Sequence, residues 1–584
     1  MVATLLSVAV GVGKKKFNND HQLNRGAFDG TLKPLVLLID FNDQEHEYTA
    51  SQFQHLIFSE NLSPEEANFP SDHVDYTMSV RDYYDEISNG NQQIIGNSDS
   101  VIDWQRAKNE YSYYVDGAQG TGEGENGVIR SAASLIVEVT MDVDEQGFDF
   151  SQFDNGDGAI DVVVLIVAGR GGLGDNYFWP HMFIVPSKTQ GLLDIDPNAP
   201  HDEDSGYFLL DGVVLRRYIV IQEKYAWNHS GASIGDIHPI GTICHELGHV
   251  LGLPDLYDNS ADSPGHGIGR WGLMGSGNYN TQESPAYMSA WSRYRLGFID
   301  PETLSDIYGL EITIPPAEGL GGTAYILPMS SNLPQEYLMI ENRQKIIGSS
   351  DEFLKKSGLL VWHIDETITD MYPAFSSSVN IDPHFYGVNL LQADGYGNLY
   401  TNDEGDGDSG DPFYGNEQIT TSTYPNTNLY TYDRDADGIS DGGGASNISL
   451  INITENSDQI SLTAYNPNLQ GILLGYDEGG YEGSAYPDSY SNLQWVGIRV
   501  VAPDTSLLSG ISTVFPPLHW SWDVTKYNIN IWKGWSGDKP EKRLYSLNGD
   551  VKWSSQNMRD GGWAHISFAD LNMVWNKGET YYVE

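Results

Sequence analysis

The stretch "HELGHVLGLPD" at 245–255 constrains the fold most, because two histidines four residues apart surround a glutamate, and a glycine and an aspartate follow. On a helix, residues i and i+4 lie on one face one turn apart, so His245 and His249 would present both imidazoles to one point. A tetrahedral zinc ion requires that arrangement. Gly252 is expected to end the helix in a left-handed conformation, so that the chain reverses and returns Asp255 as a third ligand.

Glu246 stands beside the first histidine, where its carboxylate can reach a metal-bound water without displacing it. Zinc lowers the pKa of bound water to about 7, and Glu246 would accept the released proton as a general base. The alternative interpretation is an ordinary helix with surface histidines. A chance His-Glu-x-x-His is expected only roughly 0.02 times in a chain of this histidine content, which disfavours that alternative.

The apolar pattern of the first half predicts alternating strands and helices. Buried strands are expected at "LVLLIDFND" (35–43), "AIDVVVLIVAG" (159–169) and "VVLRRYIVIQE" (213–223). Helices are expected at "SVRDYYDEISNG" (79–90) and "IGTICHELGHVLGL" (240–253). This order predicts an α+β class, with a mixed twisted sheet backed by helices that include the helix of the metal motif.

From about residue 305 the chain changes to short strand patterns separated by turn residues, such as "LEITIPPAE", "YLMIENRQ", "GLLVWHID" and "NISLINIT". After a linker-like "YNPNLQG" (465–471), alternating patterns predict a C-terminal β-sandwich. We therefore expect four regions: a leader or pro-segment remnant at 1–30, a catalytic core at 31–300, a β-rich completion of that module at 301–468, and the sandwich at 469–584. The apolar start and the final "TYYVE" suggest a fragment.

The balance of acidic and basic residues limits which binding partners are expected. Acidic residues outnumber basic ones 81 to 31, for a formal charge of −50. Such a surface repels nucleic acid and anionic membranes, so neither is expected as a partner, and it suits an extracellular protein. No apolar run is long enough to span a bilayer. The single cysteine, Cys244, excludes an intrachain disulfide and is expected to be a buried small hydrophobe.

Two motifs together carry a resemblance. "HELGHVLGLPDLYD" (245–258) and "GRWGLMGSG" (269–277) are similar to the metzincin-type zinc peptidases of the immune inhibitor A family. The stretches "SVRDYYDEISNG", "FWPHMFIV" and "SPAYMSAWSRYRLGFI" agree in the same order, and the resemblance covers about 35–465. It implies a zincin fold, in which a tight turn places a methionine beneath the metal. Met274 matches that methionine.

The resemblance also implies roles for individual residues. Zinc would be held by His245, His249 and Asp255, with Glu246 as base; Asp258 is the fallback third ligand, since histidine is commoner at that position. Tyr279, near the turn, either stabilises the oxyanion or packs, and packing is favoured. We interpret His181 as a hydrogen-bonded core histidine and His238 as a loop residue.

Three acidic stretches have compositions that could bind calcium. "DRDADGISD" (433–441) spaces its carboxylates as in an EF-hand-type loop, although Gly444 stands where the bidentate glutamate belongs. We expect a calcium site from its four aspartates: Asp433, Asp435, Asp437 and Asp441. "FDNGDGAID" (153–161) is interpreted as a turn. "DEGDGDSGD" (403–411) could bind an ion or form a solvated acidic loop, and the loop is favoured.

These observations predict a secreted zinc endopeptidase that acts on protein substrates, with a C-terminal region that binds a surface, glycan or protein. A non-catalytic adhesion or binding protein that kept a peptidase fold is the alternative, and its expected sign would be loss of Glu246 or of a ligand. A zinc hydrolase acting on other substrates is a third hypothesis. Cleavage specificity and oligomeric state do not follow from the sequence.

Overall fold

The structure is a computed structural model that describes residues 30–466 apart from short internal stretches, and the strands between 498 and 583. The stretches not described within 30–466 are 70–77, 123–129, 173, 188–199, 203–204, 227–234, 259–264, 282–283, 306, 319–322, 331–333, 372–377, 402–404, 432–443, 445 and 447. The expected calcium site at 433–441 lies outside the described residues, as do residues 1–29.

Seven helices lie in the described part of the chain: α1 (Ala50–Phe58), α2 (Val80–Ser88), α3 (Tyr111–Val115), α4 (Ala132–Asp144), α5 (Ile240–Leu251), α6 (Ala290–Leu296) and α7 (Glu366–Thr369). Nine strands accompany the first five: β1 (Thr31–Leu32), β2 (Pro34–Asp40), β3 (Gln93–Ile94), β4 (Val101–Arg106), β5 (Val162–Arg170), β6 (His181–Ile184), β7 (Phe208–Leu210), β8 (Val213–Leu215) and β9 (Arg217–Lys224). Helices α2 and α5 confirm the two predicted helices.

The main sheet has the order β4-β2-β5-β9-β6. Its first four strands are parallel, and β6 pairs antiparallel with β9 at one edge. Strands β2 and β5 are buried on both faces, as their continuous apolar runs predict. The single strand predicted at 213–223 was wrong. The chain forms two strands there, because the carbonyl of Arg216 accepts a hydrogen bond from Val185 and β8 pairs with β7 instead of joining the sheet.

The following region is built from strands: β10 (Glu302–Thr303), β11 (Ile307–Ile314), β12 (Ala324–Pro328), β13 (Glu336–Arg343), β14 (Gly358–Asp365), β15 (Val388–Leu390), β16 (Gly415–Ile419), β17 (Ser449–Asn456) and β18 (Gln459–Asn466). They form two sheets, β10-β12-β13-β14-β15 and β11-β18-β17-β16. Met339 and Trp362 of the first sheet belong to the same buried apolar cluster as Leu247 of α5. The β-rich sheet therefore shares a core with the helix that carries the histidines.

Strands β19 (Ile498–Val501), β20 (Ser506–Leu507), β21 (Gly510–Phe515), β22 (Lys526–Ser536), β23 (Lys539–Asp550), β24 (Gly562–Ser567), β25 (Val574–Trp575) and β26 (Thr580–Val583) make up the last region. Four of them form the sheet β19-β26-β22-β23, and the others pair as β20-β25 and β21-β24. All of these pairs are antiparallel. Within the described ranges, no helix is long and apolar enough to cross a membrane. The structure is thus a mixed α+β fold.

A buried arginine joins the β-rich sheet to the segments that follow α5. Arg343 on β13 is fully buried, and its Nη2 donates to Asp351 Oδ1 at 2.7 Å. The same guanidinium donates to the backbone carbonyls of Trp271 and Tyr287, both at 3.2 Å. One side chain therefore fixes two loop segments against the sheet.

We expect Arg343→Lys to lower the free energy of unfolding by about 3–5 kcal/mol, because an ammonium cannot reproduce the fork and leaves the buried carboxylates short of partners. Urea unfolding measures the change. Arg295→Lys is the matched control: its ion pair with Asp370 is partly exposed, and its loss should cost less than about 1 kcal/mol. Equal losses in the two variants would contradict this role for Arg343.

Glu86, near the end of α2, is largely buried against a distant loop. Its carboxylate accepts hydrogen bonds from the backbone N–H (3.2 Å) and hydroxyl (3.1 Å) of Ser350. Burial raises the pKa of Glu86 to about 7, and the two bonds from Ser350 only partly offset it. Because the folded state holds this proton more tightly than the unfolded chain, Glu86 makes the fold less stable as pH rises from about 4.5 through 7.

Glu86→Gln, which keeps an acceptor oxygen, should therefore raise the free energy of unfolding by on the order of 1–2 kcal/mol at about pH 8 and change it little at about pH 4. Thermal unfolding at both pH values measures the difference. The exposed Glu145→Gln variant controls for the loss of one surface charge. A gain for Glu86→Gln that does not depend on pH would disprove the explanation.

Candidate metal centre

Helix α5 positions the two histidines. Its residues 240–250 are buried, and Gly252 ends it with a φ of 107°. The N–H groups of Gly252 and Leu253 bond back to the carbonyls of His249 and Gly248, both at 3.0 Å, which satisfies the last turn. A side chain at 252 would be strained by that conformation. The chain therefore turns sharply and returns toward the helix.

Three side chains converge after this turn. The Nε2 atoms of His245 and His249 lie 3.1 and 3.2 Å from the same oxygen, Oδ1 of Asp255. All three residues are buried. Ligands on a tetrahedral ion with bonds of about 2.0–2.1 Å lie about 3.3 Å apart, so these separations suit one small divalent cation. Within the described ranges, His245, His249 and Asp255 form one of two groups whose ligand atoms are close enough to share an ion.

The outer nitrogens of both imidazoles are already engaged. His245 Nδ1 lies 2.9 Å from the carbonyl oxygen of Leu273, and His249 Nδ1 lies 2.8 Å from that of Leu253. Since a carbonyl only accepts, both Nδ1 atoms must carry hydrogen, and in the neutral rings both Nε2 atoms carry lone pairs. Two lone pairs facing a carboxylate repel one another unless a cation lies among them. The donor set therefore fits a divalent metal.

A proton competes for the same position in the metal-free protein. Burial acts to lower the pKa of His249, but the hydrogen bond and charge of Asp255 raise it to about 9. Burial acts to raise the pKa of Asp255, but its bonds to His245 and His249 hold it well below its usual range. The group thus concentrates negative potential where a cation would bind.

Glu246 lies between these ligands and the edge of the main sheet. Burial raises the pKa of its carboxyl, while the neighbouring His245 and His249 and a hydrogen bond from the Met182 backbone act to lower it. Met182 belongs to β6, the edge strand. A carboxyl with a raised pKa next to a metal position is a stronger base than an ordinary carboxylate, which suits it to accept a proton from a bound water.

The segment 269–277, hereafter the Met-turn segment, supports the site from below. Met274 is buried, and its carbonyl accepts a hydrogen bond from Leu256 at 2.8 Å. Gly248 faces it from the helix, where a Cβ would lie only 2.6 Å from the Met274 sulfur. The absence of a side chain at 248 therefore lets this methionine pack directly beneath the two histidines.

Two tyrosines line the site, and sequence reasoning considered only one of them. Tyr257 stacks near His245, with ring centroids 6.1 Å apart, and its side chain hydrogen-bonds Asp255. The position of Tyr257 between two candidate ligands in "DLYD" could have indicated from the sequence that it lines the site. Burial, then the charges of Tyr225 and Glu246, raise the pKa of Tyr279 to about 12, so its hydroxyl stays protonated near neutral pH. The structure thus places both tyrosines within the electrostatic range of Glu246.

Asp258, the fallback ligand, faces elsewhere. It is buried, but it does not belong to the group formed by the two histidines among the described residues. Burial, then the charge of Asp258, raises the pKa of Tyr386. The geometry therefore favours Asp255 as the third ligand.

The remaining candidates are structural. His181 on β6 has both ring nitrogens engaged, with the Trp179 carbonyl at 2.7 Å and the Tyr218 hydroxyl at 3.2 Å. His238 lies in the loop before α5, as predicted. The predicted turn at 153–161 is confirmed, because Asp154 Oδ1 accepts three successive backbone N–H groups at 2.7–3.0 Å.

The interpretation of 403–411 as a solvated loop was wrong for its buried residues, although Gly405 and Ser409 are exposed. Asp411 is fully buried, and its Oδ2 accepts a hydrogen bond from the Trp271 indole at 2.8 Å. Asp406 pairs with Arg270 at 2.6 Å. The loop packs on the Met-turn segment because that segment supplies two donors, which lie more than a hundred residues away in the sequence.

Comparison with known proteins defines the class. The family model for the immune inhibitor A peptidase M6 catalytic domain matches residues 29–302, a range that includes the whole metal centre. This match confirms the resemblance to the metallopeptidases of the immune inhibitor A family over that range.

Two relatives agree with the family match. The pre-pro-metalloprotease PrtV of Vibrio cholerae is 26% identical over 301 residues, which cover 45% of this chain and 29% of the relative. Immune inhibitor A of Bacillus thuringiensis subsp. alesti is 25% identical over 275 residues, which cover 42% of this chain and 36% of the relative. The similarity thus spans about a third of each relative's length. No solved structure matches the chain significantly.

Proposed function

We propose that this chain is a secreted zinc endopeptidase with a zincin-type catalytic domain, in which His245, His249 and Asp255 hold zinc and Glu246 acts as general base. The observation that carries the proposal is the convergence of two Nε2 atoms on one carboxylate oxygen, at 3.1 and 3.2 Å. The family match supports peptide-bond hydrolysis as the reaction. The formal charge of −50 supports an extracellular location.

In the proposed hydrolysis, the metal, Glu246 and the groups that orient the imidazoles have separate roles. Zinc, when bound, polarises the scissile carbonyl and makes the attacking water more acidic. A carboxylate oxygen of Glu246 takes the proton from that water and then delivers it to the nitrogen of the leaving amine. The Nδ1–H groups of both imidazoles donate to the carbonyls of Leu273 and Leu253, which holds the rings with Nε2 directed at Asp255, so that the ligands need no rearrangement.

The substrate chain would lie along β6. Among the described residues that strand pairs only with β9, so its other edge would offer backbone N–H and C=O groups to an extended peptide. Phe183 on β6 is 58% exposed and supplies an apolar surface beside the peptide. Tyr279 keeps its proton and would donate to the oxyanion, or it packs against the site. The region 301–468 would complete the catalytic module, and 469–584 would bind a surface, glycan or protein.

Metal removal tests the proposal. Treating the full chain with 1,10-phenanthroline should reduce casein cleavage at least about 100-fold, because the remaining groups cannot activate water without the ion. Added zinc should restore cleavage. The isomer 1,7-phenanthroline at the same concentration, whose nitrogens cannot chelate one ion together, is the control and should leave cleavage unchanged. A chain that binds zinc but cleaves neither casein nor a peptide library would support the adhesion or non-peptide alternatives.

A further inference from the structure

A second cluster of carboxylates lies beside the Met-turn segment. Asp394, Asp408 and Asp411 bring carboxylate oxygens within 4.8 Å of one another. Two ligands of one cation can be no farther apart than twice the bond length, which is about 4.6–5.2 Å for calcium. The three oxygens therefore lie close enough to share one Ca²⁺ ion.

The charges of this cluster lack a cationic partner among the described residues. In the part of the chain that the structure describes, no Lys, Arg or His nitrogen lies within 4 Å of the three carboxylates. Burial, then the charges of Asp408 and Asp394, raise the pKa of Asp411 to about 6. Three carboxylates held together in this way repel one another, and a divalent ion would remove most of that repulsion.

Two buried oxygens at the cluster indicate a bound cation, and this evidence does not depend on the charge of the cluster. Asn398 is 6% exposed, and its Nδ2 donates to Asp408 Oδ2 at 2.7 Å, so its amide lies against the cluster. Asn398 Oδ1 and Asp411 Oδ1 are buried and accept no hydrogen bond from any described residue. A buried oxygen without a donor is costly, and coordination of a cation would satisfy both.

We propose that Asp394, Asp408, Asp411 and Asn398 form a calcium site. The donor atoms are all carboxylate or amide oxygens, which suit Ca²⁺ and disfavour zinc or copper. The site is separate from the candidate zinc centre and shares no residue with it.

The calcium site would stabilise the segment that packs beneath the zinc centre. Asp411 Oδ2 accepts a hydrogen bond from the Trp271 indole N–H. In the same loop, Asp406 pairs with Arg270. Gly407 lets the loop approach this closely, because a Cβ there would lie 2.7 Å from the Trp271 indole nitrogen. Trp271 is three residues before Met274. Calcium would therefore stabilise the Met-turn segment through its tryptophan and arginine.

The test uses the full chain, loaded with zinc, in the Glu246→Gln background so that self-cleavage does not interfere. Calcium is titrated calorimetrically, and Tm is measured with and without about 10 mM Ca²⁺, above the range of weak extracellular calcium sites. The variant is Asp394→Asn with Asp408→Asn. The control is Asp382→Asn, an exposed aspartate that bonds only its neighbour His384.

We expect the parent and the control to bind one more calcium ion per chain than the double variant, and to gain roughly 5 °C more in Tm. Without calcium the double variant should be at least as stable as the parent, because the repulsion is relieved. Equal calcium stoichiometry and equal Tm gains in all three proteins would overturn the proposal, as would no binding at all.

Terbium luminescence provides a second test should the double variant fail to fold. Tb³⁺ in this site would lie beside the Trp271 indole and emit on tryptophan excitation, and Ca²⁺ should displace it. Trp271→Phe should remove most of the calcium-sensitive emission. Emission that is absent, or that is unchanged in Trp271→Phe, would overturn the proposal.

Discussion

Replacing Glu246 with glutamine is expected to lower kcat/KM for peptide hydrolysis by roughly 10²–10⁴-fold while zinc stays bound at one ion per chain. In the proposed mechanism this carboxylate accepts the proton of the attacking water, and an amide of the same shape cannot accept it. Since Glu246 is not one of the three converging ligands, the metal should be unaffected. Initial rates on a fluorogenic peptide, with zinc measured on the same sample, give both quantities.

Glu145→Gln, an exposed change of the same chemistry, is the control and should keep parental activity. Retention of activity by Glu246→Gln would exclude this carboxylate as the base. Loss of zinc together with activity would mean that Glu246 serves the metal site instead of the proton transfer.

Asp255→Ala should weaken zinc binding by more than about 100-fold. Loss of a residue that only hydrogen-bonds a metal ligand typically weakens metal binding 10–100-fold, and loss of the ligand itself should cost more. Asp258→Ala is a matched variant three residues later, at a position equally buried, and should weaken binding by less than about tenfold. Competition against a chromogenic zinc chelator measures both affinities, and circular dichroism checks that both variants fold. The reverse order of affinities would make Asp258 the ligand.

Local periodicity predicted the helix α5 and the shared face of His245 and His249, because both depend only on residues within one helix. The choice between Asp255 and Asp258 could not be made in this way. It depends on how the chain returns after Gly252, and the return is held by the Leu256 N–H on the Met274 carbonyl and by Tyr257 on Asp255. These contacts belong to the tertiary structure, and sequence spacing does not encode them.

The surroundings of the site were less predictable for the same reason. The Met182 N–H reaches Glu246 from an edge strand some sixty residues earlier, and Asp411 reaches Trp271 from 140 residues later. The acidic composition of the loop at 403–411 predicted that it would be exposed to solvent, because polar residues usually are. An indole and a guanidinium on a distant segment make its burial favourable.

The most direct test of the account is a crystal structure of the zinc-loaded chain with anomalous data collected at the zinc edge. The account predicts a strong peak about 2.0–2.2 Å from His245 Nε2, His249 Nε2 and an oxygen of Asp255, with Glu246 beyond bonding distance. A peak bound by Asp258 in place of Asp255, or no zinc between the two histidines, would contradict it.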